Sequence, residues 1–198
     1  MGRIYCVMGK SSSGKDSIYS RIMEEGELPL ERIVPYTTRP RREGEIDGKA
    51  YVFTDEARVE ALMRAGRIIE LRAYDTVYGI WKYFTVDDGR IDLETDSYLY
   101  IVTLEGYQKM QAYFGKEAVV PIYIEVEDGE RLLRAIAREQ EQKSPQYEEM
   151  CRRFLADSAD FSEEKLKEAG IGQRFVNDDM ETTIRQITDY IRGDMAKG

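Results

Sequence analysis

The sequence predicts an α/β fold in which helices cover both faces of a parallel central sheet. Three short apolar runs, at 3–8, 98–104 and 119–126, have the length and composition of buried strands. Each run precedes a segment whose apolar residues are spaced as in a helix. This alternation is typical of a parallel sheet with both faces covered. The segment 33–83 breaks the alternation with short β-rich runs, which predict a small mixed or antiparallel insertion.

The other elements are predicted from helical spacing, capping residues and turn residues. The helix at 55–65 has Asp55 as its expected N-cap and Gly66 as its stop signal. The run 139–145 is polar and is expected to be mobile. The remaining predicted helices cover 15–24, 105–114, 128–138, 147–157 and 180–192, and a short strand covers 174–176.

Composition limits the kind of protein that this chain can be. Its 198 residues, 42% of them hydrophobic, suit one compact domain. The net charge of −9 disfavours binding to nucleic acid, and no apolar run is long enough to span a membrane. The short stretch before the first turn does not have the length of a signal peptide, so a cytoplasmic protein is expected.

The reactive side chains are restricted as well. The chain has no histidine, which excludes Ser-His and Cys-His catalysis and most zinc sites. Its two cysteines, Cys6 and Cys151, are far apart in the sequence and are expected to be buried free thiols. Basic residues cluster at 39–42 and again between 131 and 153, which favours a small anionic ligand on an otherwise acidic chain.

A glycine-rich turn joins the first strand to the first helix. The segment 9–15, GKSSSGK, matches the first seven positions of the phosphate-binding P-loop pattern GxxxxGK[ST]. Backbone N–H groups of such a loop turn inward around phosphate oxygens, and the helix N-terminus adds partial positive charge. Lys15 can reach the β- and γ-phosphate oxygens. The residues predicted to bind ATP here are Gly9, Ser11, Ser12, Ser13, Gly14, Lys15, Asp16 and Ser17.

The residue after the lysine departs from this pattern. Serine or threonine is expected there as a Mg²⁺ ligand, but the chain has Asp16, with Ser17 one place later. A carboxylate is a good ligand for Mg²⁺ and also suits a helix N-terminus. Two interpretations therefore stay open. Either Asp16 binds the metal, or it only starts the helix while phosphates and water hold the metal.

A second motif follows the loop. The segment 37–45, TTRPRREGE, places Arg39 and Arg42 three residues apart, and Tyr51 follows it. Two guanidinium groups and a phenol can surround one phosphate with charge-assisted hydrogen bonds. A P-loop followed by TTRxxRxGE and this tyrosine resembles the guanylate kinase family.

The resemblance continues in the same order along nearly the whole chain. Glu70, in the run IIEL, resembles the family's guanine-reading glutamate, whose carboxylate accepts from the ring N–H and the exocyclic amine. Tyr78, in a Tyr-Gly pair, resembles a tyrosine that touches the substrate phosphate. The family's lid arginines, and its VNDD segment near the adenine of ATP, have counterparts in Arg134, Arg138, Arg153, Asn177 and Asp178.

The resemblance implies a three-layer P-loop NTPase fold and the reaction of ATP with GMP to give ADP and GDP, with Mg²⁺ as the metal. It divides the chain into a core (1–32, 84–138 and 159–198), a nucleotide-binding insertion (33–83) and a helical lid (139–158). The expected partners are ATP and a nucleoside monophosphate, without nucleic acid or membrane, in a monomer or homodimer. The implied catalytic residues are Lys15, Arg42, Arg138 and Arg153, and the implied substrate contacts are Arg39, Arg42, Tyr51, Glu70, Tyr78 and Thr103.

Several residues depart from the family at the base-binding end. Pro35 stands where a serine usually helps to read guanine, and Ile80 replaces the serine after Tyr-Gly. The family's aspartate in the third parallel strand is missing, and Thr103 is the nearest polar residue. These losses predict GMP turnover with only modest base selectivity. Because the missing aspartate normally lies near the metal, Asp16 is a candidate replacement for it.

Three other functions stay open. Guanylate-kinase-like domains of scaffold proteins bind phosphorylated peptides, but they usually lose the loop and lid features that this chain keeps. A kinase for another acceptor is the second alternative, and the arginine pair favours an acceptor that already carries phosphate. A P-loop hydrolase ranks last, because no residue stands out as a group that positions water.

Overall fold

The computed structural model describes residues 1–76 and 78–197, which form two sheets and the helices around them. Five strands form one sheet in the order β2-β7-β1-β8-β9, and four form the other in the order β4-β3-β6-β5. In chain order the elements are β1 (Ile4–Met8), α1 (Lys15–Glu25), β2 (Leu30–Arg32), β3 (Tyr36–Thr37), β4 (Val52–Phe53), α2 (Glu56–Arg64), β5 (Ile68–Thr76), β6 (Gly79–Val86), β7 (Ser97–Ile101), α3 (Leu104–Phe114), β8 (Val119–Glu125), α4 (Asp128–Gln140), α5 (Tyr147–Asp160), α6 (Glu163–Glu168), β9 (Arg174–Val176) and α7 (Met180–Met195).

The five-stranded sheet is parallel throughout. Its central strand, β1, is buried along its full length. Because side chains alternate across a strand, β1 contributes to a hydrophobic core on each face of the sheet. Ile4, Cys6 and Met8 pack with α3 on one face. Tyr5 and Val7 pack with α1 and α7 on the other face. The predicted parallel sheet with two covered faces is confirmed.

The four-stranded sheet is mixed. β3 pairs in parallel with β4, whereas β6 pairs antiparallel with both β3 and β5. One face packs against α2 through an apolar cluster of Val59, Leu62, Phe84 and Val86. The opposite face carries Glu70 and Arg72 of β5, which lie opposite Thr85 and Tyr83 of β6. The smaller sheet therefore has one apolar face toward its own helix and one polar face.

Helices α4 and α5 are both longer than the sequence predicts. α4 ends at Gln140 instead of 138, and α5 ends at Asp160 instead of 157. The buried side chain of Glu139 accepts a hydrogen bond at Oε2 from the backbone N–H of Gln146, at 2.9 Å. This contact ties the end of α4 to the start of α5 and spans the polar connection between them.

The end of β7 also differs from the prediction. The strand stops at Ile101, before 104, because Thr103 caps the next helix. The Thr103 hydroxyl accepts a hydrogen bond from the backbone N–H of Gly106 at 3.2 Å. Two short elements were not predicted at all. β2 has 3 residues and α6 has 6 residues, which is too few to show a clear period.

The cysteines are free thiols, but only one of them is buried. Cys6 lies in the core, whereas Cys151 is exposed on α5. The expectation of burial was therefore wrong for Cys151, because α5 is a surface helix on which Met150 alone is buried. Among the described helices, none combines the length and the apolar composition that crossing a membrane requires.

Replacing Thr103 with alanine removes the side-chain cap of α3. We expect the free energy of unfolding to fall by about 1 kcal/mol. Thr103→Ser keeps the hydroxyl and is the matched control, with a smaller loss. Urea unfolding followed by circular dichroism measures both variants. An alanine variant as stable as the parent would contradict the capping role.

Candidate active site

The loop 9–15 connects β1 to α1 and is tightly constrained. Ser12 and Gly14 have positive φ values of 62° and 84°. Glycine adopts this region without strain, whereas other residues rarely enter it. A Cβ on Gly9 would lie 2.6 Å from the carbonyl oxygen of Ile124, and a Cβ on Gly14 would clash with the Asn177 side chain. Close packing therefore requires both glycines.

Asn177 braces the loop from the neighbouring strand end. Its buried side chain donates from Nδ2 to the carbonyl oxygen of Ser13 at 2.8 Å, and its backbone N–H donates to Glu125 at the same distance. The Asn177 carbonyl in turn accepts from Nη2 of Arg134 at 3.1 Å. Asp178 is exposed beside a cleft that Lys10 also lines. Asn177 and Arg134 thus support the loop through protein contacts, and their contact with ATP stays a prediction.

Polar groups in and beside the loop suit an anion. The hydroxyl oxygens of Ser12 and Ser13 are buried, and within residues 1–76 and 78–197 they have no hydrogen-bond partner. Lys15 Nζ lies 3.3 Å from a carboxylate oxygen of Asp16, whose side chain is 78% exposed. Ser17 is exposed on the same first turn of α1. Buried hydroxyls without partners are rare, so a ligand with acceptor oxygens fits this loop.

A carboxylate from α5 is bound to the loop backbone. Ser11 donates its N–H to Oδ2 of Asp157 at 2.6 Å. Arg131, fully buried on α4, lies with Nη2 3.3 Å from the same oxygen and donates from Nε to the Ser11 carbonyl at 3.0 Å. Its guanidinium also lies over the ring of Phe154, 4.8 Å from the centroid. The loop, α4 and α5 are therefore joined by one buried arginine and one acidic side chain.

Two predicted lid arginines face the loop across a cavity of about 170 Å³. Arg138 of α4 and Arg153 of α5 line this cavity together with Ser11 and Ser12. Nε of Arg153 lies 3.0 Å from Glu149. Hydrogen bonds from Arg152, and then from Arg153, lower the pKa of Glu149 to about 2. Arg134, on the same helix as Arg138, instead contacts Glu130 and Asn177.

The predicted arginine pair lies beside the smaller sheet. Arg39 is buried and makes a two-point contact with Glu45, at 2.7 and 3.1 Å. Glu45 also accepts from the backbone N–H of Arg42 at 2.7 Å, while the Arg42 side chain is exposed. Hydrogen bonds from Arg39 and from the Arg42 backbone hold the pKa of Glu45 below its usual range. Glu45 thus fixes the guanidinium of Arg39 and shapes the turn that carries Arg42.

Tyr51 contacts Arg39 and lies near Asp16 of α1, the helix that follows the loop. Its ring packs on Tyr83 at 5.6 Å, and the Arg39 guanidinium lies 5.7 Å from its centroid. Burial raises the pKa of Tyr51. The nearby charges of Arg72 and Arg39 lower this pKa, whereas Asp16 raises it. The Asp16 carboxylate of α1 is therefore near enough to Tyr51 for its charge to act on the phenol.

A buried polar cluster at the edge of the smaller sheet is built around Glu70. Its carboxylate is fully buried and accepts from Thr85 at 2.9 Å and from Tyr100 at 3.2 Å. Arg72 donates to both carboxylate oxygens, at 3.1 and 3.3 Å. Burial raises the pKa of Tyr100, and the Glu70 charge raises it further. Glu70 thus lies where β5 of the smaller sheet meets β7 of the larger one.

The remaining predicted contacts are less enclosed. Tyr78 is 81% exposed, and its ring stacks on Trp81 at 6.1 Å. Ile80, on the same hairpin, is also exposed. Thr103 caps α3, and Pro35 accepts a backbone hydrogen bond from Val52 at 2.9 Å. The structure therefore does not bring Tyr78 into the enclosed cluster that contains Tyr51 and Arg39.

Sequence reasoning missed several residues that build the site. Arg131 was noted only as part of a basic cluster, and Asp157 was not noted at all. No local pattern could have found them, because their contacts with Ser11 span 120 and 146 positions. Arg72 had a usable signal, since it lies two residues after Glu70 and side chains two apart share one face of a strand.

These features are typical of a P-loop phosphotransferase, in which a glycine-rich loop shares a cavity with arginines of two neighbouring helices. The family model for guanylate kinase matches residues 1–194. This chain therefore belongs to the guanylate kinase family and is a nucleoside monophosphate kinase. The resemblance found in its motifs is confirmed.

Curated relatives and a solved structure match over most of their length. The chain is 30% identical to guanylate kinase from Chromobacterium violaceum, with 97% of this chain and 86% of that protein covered. It is 27% identical to guanylate kinase from Porphyromonas gingivalis, with both chains fully covered. The crystal structure of guanylate kinase from Anaplasma phagocytophilum superposes with a TM-score of 0.63 at 25% identity, with 98% of this chain and 86% of that chain covered.

The Asp157 carboxylate holds a loop N–H and adds negative charge beside the phosphate loop. Asp157→Asn keeps an oxygen that can accept from Ser11 but removes this charge. We therefore expect the Kd for ATP to fall by about tenfold. Isothermal titration calorimetry measures it. Asp160→Asn, on the exposed side of the same helix, is the control and should leave the Kd unchanged. Equal or weaker ATP binding by Asp157→Asn would show that the carboxylate does not oppose the nucleotide.

Proposed function

We propose that this chain transfers the γ-phosphoryl group of ATP to GMP, giving ADP and GDP. The observation that carries the proposal is the cavity that Arg138 and Arg153 share with Ser11 and Ser12 of the loop. On the smaller sheet, the buried Arg39 lies beside Tyr51, and the buried Glu70 forms a polar cluster with Thr85. Family membership over residues 1–194 supports the same reaction.

On the donor side, the loop backbone and Lys15 bind the β- and γ-phosphates. The bond between the γ-phosphorus and the bridging oxygen of ADP breaks, while a bond to a phosphate oxygen of GMP forms. The transferring group carries high negative charge, which Arg138 and Arg153 of the lid neutralise as it moves. Their position on the cavity opposite Ser11 supports this role. No covalent intermediate with the protein is needed.

On the acceptor side, Arg39, Arg42 and Tyr51 hold the GMP phosphate in line with the γ-phosphoryl group. The two-point contact with Glu45 keeps the buried Arg39 in one orientation, which lowers the entropic cost of binding an anion beside it. Tyr78 lies on an exposed hairpin, so its contact with the acceptor phosphate requires that hairpin to close over the acceptor site.

A divalent metal fits the donor side only if the nucleotide brings most of its ligands. Within the described residues, no three His, Cys, Asp or Glu side chains are grouped so that they could hold a metal ion. Asp16 alone offers an exposed carboxylate beside the loop lysine. Mg²⁺ is typically held by one or two carboxylates together with substrate phosphates, so this donor set fits Mg²⁺. When bound, the ion neutralises charge on the β- and γ-phosphates.

We propose the division into core, nucleotide-binding insertion and lid at the boundaries given by the sequence. The mixed sheet within 33–86 supports the insertion, and α4 and α5 support the lid. Closure of the lid brings Arg138 and Arg153 toward the acceptor and excludes water, which limits hydrolysis of ATP.

A panel of ribo- and deoxyribonucleoside monophosphates, each assayed with ATP and Mg²⁺, tests the acceptor. We expect the highest kcat/KM for GMP. Lys15→Ala should lower kcat at least about 100-fold, because it removes a charge that stabilises the transferring group. Lys116→Ala is the control, since Lys116 is an exposed lysine outside the loop. Preference for AMP or a pyrimidine nucleotide would refute the acceptor, and absence of any transfer would favour a binding module.

The role of Asp16 is tested separately by titrating Mg²⁺. If its carboxylate is a metal ligand, Asp16→Ser should raise the Mg²⁺ concentration for half-maximal activity by about tenfold. Asp16→Asn keeps the size and one oxygen of the side chain and should give an intermediate value. Identical Mg²⁺ dependence in the serine variant and the parent would show that Asp16 is not a metal ligand and acts only in the first turn of α1.

A further inference from the structure

Glu70 and Arg72 form a nearly buried ion pair in the proposed acceptor site. Nε of Arg72 lies 3.1 Å from one carboxylate oxygen, and the Glu70 side chain has no exposed surface while that of Arg72 is 18% exposed. Burial lowers the pKa of Arg72, but the charge and hydrogen bond of Glu70, together with Tyr100 and Tyr74, raise this pKa above its usual value, so the guanidinium is charged at neutral pH. The pair therefore brings an acceptor and a positively charged donor to one face of β5.

The hydrogen bonds around Glu70 leave a defined set of groups for a ligand. Oε1 accepts from Thr85, Tyr100 and Nη2 of Arg72, whereas Oε2, within the described residues, accepts only from Nε of Arg72. In the part of the chain that the structure describes, Nη1 of Arg72 has no acceptor. A carboxylate has about four acceptor positions and an arginine five N–H donors, so both residues keep capacity for further hydrogen bonds.

Arg72 also lies near residues predicted to bind the acceptor phosphate. Its charge acts on Tyr51 together with the charges of Arg39 and Asp16. In strand register it lies opposite Tyr83, whose ring packs on Tyr51. A nucleotide whose phosphate lies at Arg39 can therefore extend its base toward the pair of Glu70 and Arg72.

The chemistry of this pair matches one edge of guanine. That edge offers N1–H and N2–H as donors, which a carboxylate accepts, and O6 as an acceptor beside them. Adenine has an amino group in place of O6, so its donor would face the guanidinium and leave both groups unpaired. Pro35, on the neighbouring strand connection, has no hydroxyl and no N–H that could serve O6. Arg72 is the charged donor that adjoins Glu70.

We infer that Arg72 is a specificity-determining residue that donates to O6 of the acceptor base, while Glu70 accepts from N1–H and N2–H. This inference rests on the proposed function, because it requires GMP to bind at the proposed acceptor site. It changes the expectation drawn from Pro35. Recognition of O6 is not lost but is provided by a charged donor on β5.

Three acceptors test the inference: GMP, IMP, which keeps O6 and N1–H but lacks the 2-amino group, and 2-aminopurine riboside monophosphate, which keeps the amino group but lacks both O6 and the N1 hydrogen. With saturating ATP, Arg72→Ala should raise KM for GMP and for IMP by the same factor, about 10- to 100-fold. KM for the 2-aminopurine nucleotide and kcat for GMP should change little. Arg67→Ala, at an exposed arginine just before β5, is the matched control and should leave every KM unchanged.

A purely positioning role for Arg72 gives a different pattern. If Arg72 only holds Glu70 in place, its loss weakens the contacts of Glu70 with N1–H and with the 2-amino group. KM would then rise for the 2-aminopurine nucleotide as well as for GMP and IMP, which would overturn the inference. Unchanged KM values for all three acceptors would overturn it as well.

A second pair of variants covers the case in which Arg72→Ala does not fold, since it leaves a buried carboxylate unpaired. Glu70→Gln removes that charge, so the comparison of Glu70→Gln with the double variant Glu70→Gln/Arg72→Ala isolates Arg72. The same O6-dependent pattern is expected, and its absence counts against the inference. Turnover of GMP by the parent protein decides the proposed function separately. If the parent turns over GMP but the variants show no O6-dependent change in KM, only the role of Arg72 is refuted.

Discussion

The phosphate loop depends on contacts that hold its backbone in a conformation the chain would otherwise avoid. Ser12 has a positive φ, which is unfavourable for a residue with a side chain. Asn177, directly after β9, donates a hydrogen bond to the Ser13 carbonyl, and Arg131 of α4 donates one to the Ser11 carbonyl. Because these residues come from distant parts of the sequence, the loop acquires its shape only when the larger sheet and the lid helices are assembled.

The second constraint is charge. The chain is acidic, yet each buried arginine of the site is held by a carboxylate nearby. An unpaired buried charge is costly, and a pair with good geometry removes most of that cost. A paired guanidinium also keeps one orientation, so it can meet an anion without first being ordered. The pairs are Arg39 with Glu45, Arg72 with Glu70, and Arg131 with Asp157.

Local patterns in the sequence were enough to predict the parallel sheet, the mixed insertion, the loop and the family. They failed where distant elements meet. Glu70 was singled out from the sequence, but its burial against Tyr100 depends on how β5 meets β7. The arginines at 39 and 42 were expected to surround one phosphate, and the spacing did not show that Arg39 is buried against Glu45 while Arg42 is exposed. Spacing along the chain says which residues are close, not which of them the packing encloses.

The base-binding end illustrates why a missing hydroxyl does not by itself measure lost selectivity. A buried glutamate needs a compensating charge or several hydrogen bonds before any ligand arrives. An arginine two positions away on the same strand provides both the compensating charge and the hydrogen bonds without a change in the backbone. The guanidinium has five N–H groups, and only Nε and Nη2 contact Glu70, so donors remain for a ligand. The residue that makes the buried carboxylate tolerable in the free protein is thus also the one suited to contact the base.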